Sequence, residues 1–345
     1  MIDTIYLEEA VRTHPRTVEI LDLFPRAQLI SCERYGEVFN PRSQNFRIQK
    51  RQPALILAEK FKGHVLPTPE GFGIGDEQNF YFSHMLNCLY DCRYCFLQGM
   101  YSSAHYTLFV NYEVFQEAID TTLSSLPDDQ KATFFSGYDC DSLAMESVTG
   151  FVKVFLPFFR ERPQALLELR TKSVRIKELV ELEPFENCVI AFSFTPEVIA
   201  KRVEHGVPPV ESRIKAMAKL AESGWNLGLR LDPLIYHDGF ENSYEKLVTD
   251  IFQSVPSTAI HSISLGPMRF PKAMFTRIAQ LYPDDRLLAG PLSPSNGMVS
   301  YKRALEEKMT EICGSLMERH VSKEKFFHCT PVSYTHLTLP PNREV

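Results

Sequence analysis

The chain has 345 residues, 44% hydrophobic and 23% charged, the proportions of a globular protein with one large or two modest domains. It contains no run of 18 apolar residues, so no membrane span is expected. The formal net charge of −6 argues mildly against tight nucleic-acid binding, because phosphate contacts need a basic footprint and any basic groove here must be local.

The opening Met1-Ile2-Asp3-Thr4 has no basic segment leading into an apolar run, so export is not expected. Eight cysteines without an export signal fit a reducing cytoplasm. Residues 1–75 read as an N-terminal extension. It holds an amphipathic helix over 18–24 and strands over 27–32 and 51–60. Gly71-Phe72-Gly73-Ile74-Gly75-Asp76 has the glycines of a phosphate loop but precedes a strand rather than a helix, so a turn is the better reading.

From there strands and helices alternate. Strands are expected over 106–110, 132–135, 165–169, 188–194, 226–231 and 260–265. Helices are expected over 112–126, 148–160, 174–183, 211–223, 243–255 and 271–281. The alternation predicts an α/β fold, a partial (β/α)6 barrel across residues 76–330 whose site lies at the C-terminal strand ends. An amphipathic helix over 302–319 and an edge strand over 324–329 complete it. Residues 331–345 read as an adapter-derived, non-native tail and are set aside together with His336.

The densest chemistry is Cys88-Leu89-Tyr90-Asp91-Cys92-Arg93-Tyr94-Cys95, just after the apolar run Phe80-Tyr81-Phe82. Three thiols on one loop can hold three irons of a cubane and leave the fourth open to a chelating small molecule. The rival reading is structural zinc, with His84 completing a Cys3His set. Zinc more often takes two separated ligand pairs, and no second pair exists. A disulfide would strand one of the three cysteines. A second informative stretch, Phe135-Ser136-Gly137-Tyr138-Asp139-Cys140-Asp141-Ser142, ends a strand and should face the barrel mouth. Cys140 is open to two readings, a reactive thiol or a small buried hydrophobe. Cys32, Cys188, Cys313 and Cys329 have only the second.

The spacing of Cys88, Cys92 and Cys95, with an aromatic residue before the last, resembles the radical S-adenosylmethionine superfamily. Phe82-Ser83 ahead of the loop and Tyr94-Cys95-Phe96-Leu97-Gln98 at its end resemble the spore photoproduct lyase family. The similarity is scattered from about Val18 to Thr330. It includes Val110-Asn111-Tyr112, Asp232-Pro233-Leu234-Ile235-Tyr236 and Met268-Arg269-Phe270-Pro271-Lys272. The resemblance implies a radical S-adenosylmethionine partial barrel with a 4Fe–4S cluster on the three cysteines. It further implies reductive cleavage of S-adenosylmethionine to a 5′-deoxyadenosyl radical. That radical takes hydrogen from a flipped-out 5-thyminyl-5,6-dihydrothymine lesion in DNA, and Cys140 returns a hydrogen atom.

The same resemblance implies roles for further residues. Ser142 lies near the substrate, and Ser136 and Gly137 approach the cofactor's amino group. Lys172 reaches cofactor or substrate, or is a surface lysine at a strand end. Ser193 lies near the ribose. Asp232, read from its place at a strand end rather than from the resemblance, faces the cofactor or caps the following loop. Phe96 replaces a family tyrosine, leaving Tyr94 as the aromatic hydroxyl of the hydrogen relay. The family's basic hairpin corresponds to Pro294-Ser295-Asn296-Gly297-Met298-Val299-Ser300-Tyr301, short and uncharged until Lys302-Arg303. Arg213, in a helix-start segment, and His84 and His237 read as structural. The implied partners are damaged DNA and a reducing donor such as flavodoxin or ferredoxin. The same chemistry on RNA, protein or a small molecule is the alternative.

Overall fold

The computed structural model describes residues 2–328, apart from 70, 77 and 128. The expected edge strand is present as Phe326–His328, whereas Cys329, His336 and the tail over 331–345 lie outside the described residues. Among the described residues no helix is long and apolar enough to cross a membrane.

Two sheets carry the fold. The larger has eight strands in the order Phe326–His328, Ile260–Pro267, Asn226–Leu234, Cys188–Ser193, Ala165–Thr171, Ala132–Phe135, Gln78–Tyr81 and Leu66–Pro67. All neighbours are parallel except the last pair. Six of these strands, from Gln78–Tyr81 to Ile260–Pro267, form the expected partial barrel. Cys188–Ser193 is buried at every residue, as a central parallel strand covered on both faces must be.

The smaller sheet runs Gln28–Cys32, Thr4–Glu8, Leu55–Ala58, Tyr106–Phe109 and Met85–Leu86. It corrects one expectation. The strand over 106–110 is not a barrel strand, since Tyr106–Phe109 pairs in parallel with Leu55–Ala58. The first barrel strand is instead Gln78–Tyr81, just before the cysteine loop. Alternation alone pointed to Tyr106–Phe109, which is fully buried and leads straight into the helix Tyr112–Ser124, whereas Gln78–Tyr81 is half polar and runs into the cysteine loop.

The helices match the periodicity with two instructive exceptions. The helix expected over 148–160 is broken into Glu146–Thr149 and Phe151–Arg160 at Gly150, whose φ of 55° is left-handed. The helix expected from 174 begins only at Lys177. The Ser173 hydroxyl accepts from Arg175 N at 3.0 Å and diverts the backbone first. Phe151 and Phe155, four residues apart, stack at 4.4 Å, and Phe82 packs 5.2 Å from Phe155. Each such buried ring contributes about 1.5–3 kcal/mol, anchoring the chain just before the cysteine loop.

Candidate active site

The cysteine loop leaves the barrel through Asn87, whose φ of 68° turns the chain sharply. Its side-chain amide donates to Ser103 O at 2.9 Å and His105 O at 2.7 Å, which fixes that turn. Lys50, from the helix Phe46–Arg51, donates to Cys88 O at 2.6 Å and Tyr90 O at 3.0 Å. Asp91–Cys92 pairs antiparallel with Glu204–His205. The loop is therefore held from both the N-terminal segment and the barrel.

Cys88, Cys92 and Cys95 line one cavity of about 240 Å³, together with Cys140. Burial pushes all three loop thiols up, Cys88 to about 12. Bare thiolates are disfavoured there, so cationic metal must balance the charge of any ligated form. The three thiols line one cavity, and soft thiolates are the donors that an iron–sulfur cluster takes. Among the described residues no three His, Cys, Asp or Glu side chains gather closely enough to hold a single ion. His84 does not join them. It is buried against Phe151 at 4.4 Å, its ring nitrogens have no hydrogen-bond partner, and burial lowers it to about 3. The single-zinc reading loses its fourth ligand.

Of the other sequence-predicted residues, Gly137, Lys172, Ser193, Asp232 and Tyr94 line the same cavity. Asp232 lies 3.9 Å from Arg269 Nη1. Burial pushes the Cys140 thiol well up, and Sγ points to Ser136 O at 3.9 Å, so the group keeps its S–H. Ser136 and Ser142 do not line the cavity. Their hydroxyls meet at 2.9 Å, and Ser142 Oγ accepts from Arg170 N at 3.1 Å. They brace the Cys140 loop from behind. A Cβ on Gly137 would lie 2.8 Å from Ser142 Oγ, so the glycine permits that packing.

The structure also adds residues that sequence reasoning missed. Asp141 accepts from Leu143 N, Ala144 N, Thr171 Oγ1 and Lys172 N at 2.6–3.0 Å, tying the Cys140 loop to the end of Ala165–Thr171. Glu204 accepts from the Tyr94 hydroxyl and from Arg213 Nη2 at 2.6 Å, and Arg213 Nη1 donates to Ser193 O at 2.9 Å. The Tyr94 hydroxyl is thus committed to a carboxylate, while its ring faces the cavity with Lys172 Nζ 5.6 Å above it. His237 bonds Ile235 O and Ser243 Oγ and serves its own loop, as expected. Gly71 and Gly75 have φ of 78° and 128°, and the segment leads into the strand Gln78–Tyr81 rather than a helix, the setting of a turn and not of a phosphate loop.

The stretch 294–301 is a hairpin. Leu292–Ser295 pairs with Met298–Tyr301, Asn296 and Gly297 turn at φ of 48° and 77°, and Met298 reaches the cavity. The exposed tip, Pro294 to Gly297, carries no charge.

A family model described as spore photoproduct lyase matches residues 80–291. The spore photoproduct lyase of Bacillus subtilis (strain 168) is 26% identical over 207 residues, 58% of this chain and 59% of that protein. That of Geobacillus sp. (strain Y412MC61) is 24% identical over 204 residues, with the same coverage. The match thus spans about three-fifths of the curated relatives' length. Among solved structures, a spore photoproduct lyase mutant with bound AdoMet and dinucleoside spore photoproduct superposes with a TM-score of 0.81 at 17% identity. It covers 94% of this chain and 98% of that one. A spore photoproduct lyase complexed with dinucleoside spore photoproduct gives 0.78, also at 17% identity, over 94% and 99%. These structural likenesses establish the fold.

Proposed function

The chain belongs to the spore photoproduct lyase family, and from that premise we propose that it is a radical S-adenosylmethionine lyase that reverses the thymine lesion 5-thyminyl-5,6-dihydrothymine in DNA. The observation that carries the reading is that Cys88, Cys92, Cys95 and Cys140 line one cavity. When bound, a 4Fe–4S cluster with S-adenosylmethionine supplies a 5′-deoxyadenosyl radical at such a site. Cys88, Cys92 and Cys95 would hold the cluster, and Lys172, Ser193 and Asp232 would orient the cofactor from the strand ends. Cys140 keeps its proton through burial, so its S–H can transfer a hydrogen atom to a substrate carbon radical and leave a thiyl radical. Ser142 acts through the Cys140 loop rather than by touching substrate. A cytoplasmic setting and a flavodoxin- or ferredoxin-type donor fit the need for a low-potential electron.

The test uses anaerobically reconstituted protein, S-adenosylmethionine, a strong reductant and an oligonucleotide carrying the lesion. Mass spectrometry then quantifies restored thymine. Recovery establishes the assignment, and 5′-deoxyadenosine without recovered thymine removes the lesion from it.

One observation favours a second reading, the same chemistry on a substrate other than duplex DNA. The hairpin tip beside the cavity is neutral and the chain carries net charge −6. Opening a duplex costs a few kcal/mol per unstacked step and calls for a wedge and phosphate contacts. Equal turnover of the lesion in a dinucleotide and in a duplex, with little salt dependence, would mark this reading.

A further inference from the structure

Strand Ala165–Thr171 runs up the barrel beside the Cys140 loop, and its two-residue period places Glu168 and Arg170 on one face. Glu168 is fully committed. Arg230 Nη2 reaches Glu168 Oε2 at 2.7 Å and Arg230 Nε reaches Oε1 at 3.3 Å, with both side chains buried. Arg170 is held to the same carboxylate only by a long ion pair. Its Nε lies 3.9 Å from Glu168 Oε1, beyond hydrogen-bond reach, and is buried without a hydrogen-bond partner. Three-quarters of the side chain is buried.

A buried N–H donor without an acceptor costs free energy, and a part-exposed guanidinium keeps its outer nitrogens available to an anion. Arg170 lines the cavity with Cys140 and also a small second pocket that shares Phe72 and Phe135 with it. A Cβ on Gly137 would come within 2.9 Å of Arg170 O and 3.0 Å of Arg170 Cβ, so the glycine leaves room for the arginine beside the hydrogen-donor loop.

We propose that Arg170 is the oxyanion-binding residue of this cavity, pairing with the phosphodiester of the substrate held beside Cys140. The proposal rests on the reading of the cavity given above. The planar guanidinium suits two-point recognition of phosphate or carboxylate, and the cofactor's carboxylate has the same chemistry. The experiment therefore separates the two sources.

Calorimetry on the reconstituted holoenzyme would use three probes: S-adenosylmethionine alone, the spore photoproduct dinucleotide with its phosphodiester, and the dinucleoside without it. Arg170→Gln is expected to raise the Kd of the dinucleotide about 10–100-fold, the range of a hydrogen bond to a charged group. The other two Kd values stay unchanged. Arg170→Lys, which keeps the charge but loses the fork, recovers part of the affinity and serves if the glutamine variant folds poorly. A rise confined to S-adenosylmethionine overturns the phosphodiester assignment in favour of the cofactor carboxylate. No change with any probe overturns the oxyanion role itself, leaving a solvated arginine. Wild-type protein that binds the cofactor but neither lesion form removes both the lesion reading and the phosphodiester assignment. The cofactor arm then decides whether Arg170 binds an oxyanion at all.

Discussion

Tyr94 and Glu204, 110 residues apart in sequence, are joined by a hydrogen bond from the tyrosine hydroxyl to the carboxylate. One end of the cysteine loop is thereby tied to a buried ion pair, since Glu204 also meets Arg213 with both side chains fully buried. Tyr94 precedes Cys95, and Glu204 pairs through its backbone with Cys92, so two of the three loop cysteines depend on one carboxylate.

Arg213→Met leaves that carboxylate buried with its charge partner removed. Breaking such a pair costs about 3–5 kcal/mol. Chemical denaturation of the variant should show this loss, and iron retention should fall with it. An undiminished unfolding free energy would show that the pair adds nothing to holding the loop. Glu204→Gln with Arg213→Met, which removes both charges together, should be less harmful than Arg213→Met alone.

Cluster loading discriminates the metal readings. Alanine at Cys88, Cys92 or Cys95 should abolish the bound iron and sulfide recovered after anaerobic reconstitution. His84→Leu should retain both, because the ring lies among Phe151 and Tyr112 rather than at the cavity. Iron loss in His84→Leu with unchanged folding would restore the histidine as a ligand.

Cys140→Ala should leave formation of 5′-deoxyadenosine intact while replacing restored thymine with abnormal adducts, because the substrate radical has lost its nearby S–H. Product analysis by mass spectrometry decides this, and clean thymine from the variant would take Cys140 out of the chemistry.

Most of the frame was legible in the sequence because parallel strands and their covering helices announce themselves locally. Runs such as Cys188–Ser193 are apolar throughout, and the helix Tyr112–Ser124 shows its stripe within a few turns. That the three cysteines would share one site was legible because their spacing keeps them on a single loop, and they line one cavity. The supports were not. Lys50 reaches Cys88 across 38 residues, and Arg230 reaches Glu168 across 62. Nothing near Glu204 or Arg213 in sequence distinguishes them from the exposed charges of neighbouring helices. Buried charge becomes visible only when the chain has folded around it.

Glu146 gives the protein a pH signature unrelated to catalysis. Burial raises its carboxyl from 4.5 to about 7, while Val152 N at 3.0 Å and Thr149 Oγ1 at 3.3 Å donate to it. The folded state thus holds a proton that the unfolded chain releases above pH 4.5. The resulting stability is fully present below that value and is lost as pH rises to about 7, a difference of roughly 3 kcal/mol. Glu146→Gln should flatten this decline, so that melting temperatures at pH 5 and pH 8 draw together. Parallel wild-type and variant profiles would assign the pH dependence elsewhere.

The pairing of Tyr106–Phe109 with Leu55–Ala58 has a consequence for how the polypeptide emerges during translation. The first sheet cannot be completed until residue 109 has left the ribosome, and by then the whole cysteine loop lies between two strands about to be zipped together. Iron delivery must either precede that closure or pass through the finished mouth. A gene split anywhere between residues 59 and 105 would yield two halves with complementary raw edges. Neither half could gather all the groups that hold the loop, so reassembly of the halves would itself be read out by the return of brown colour.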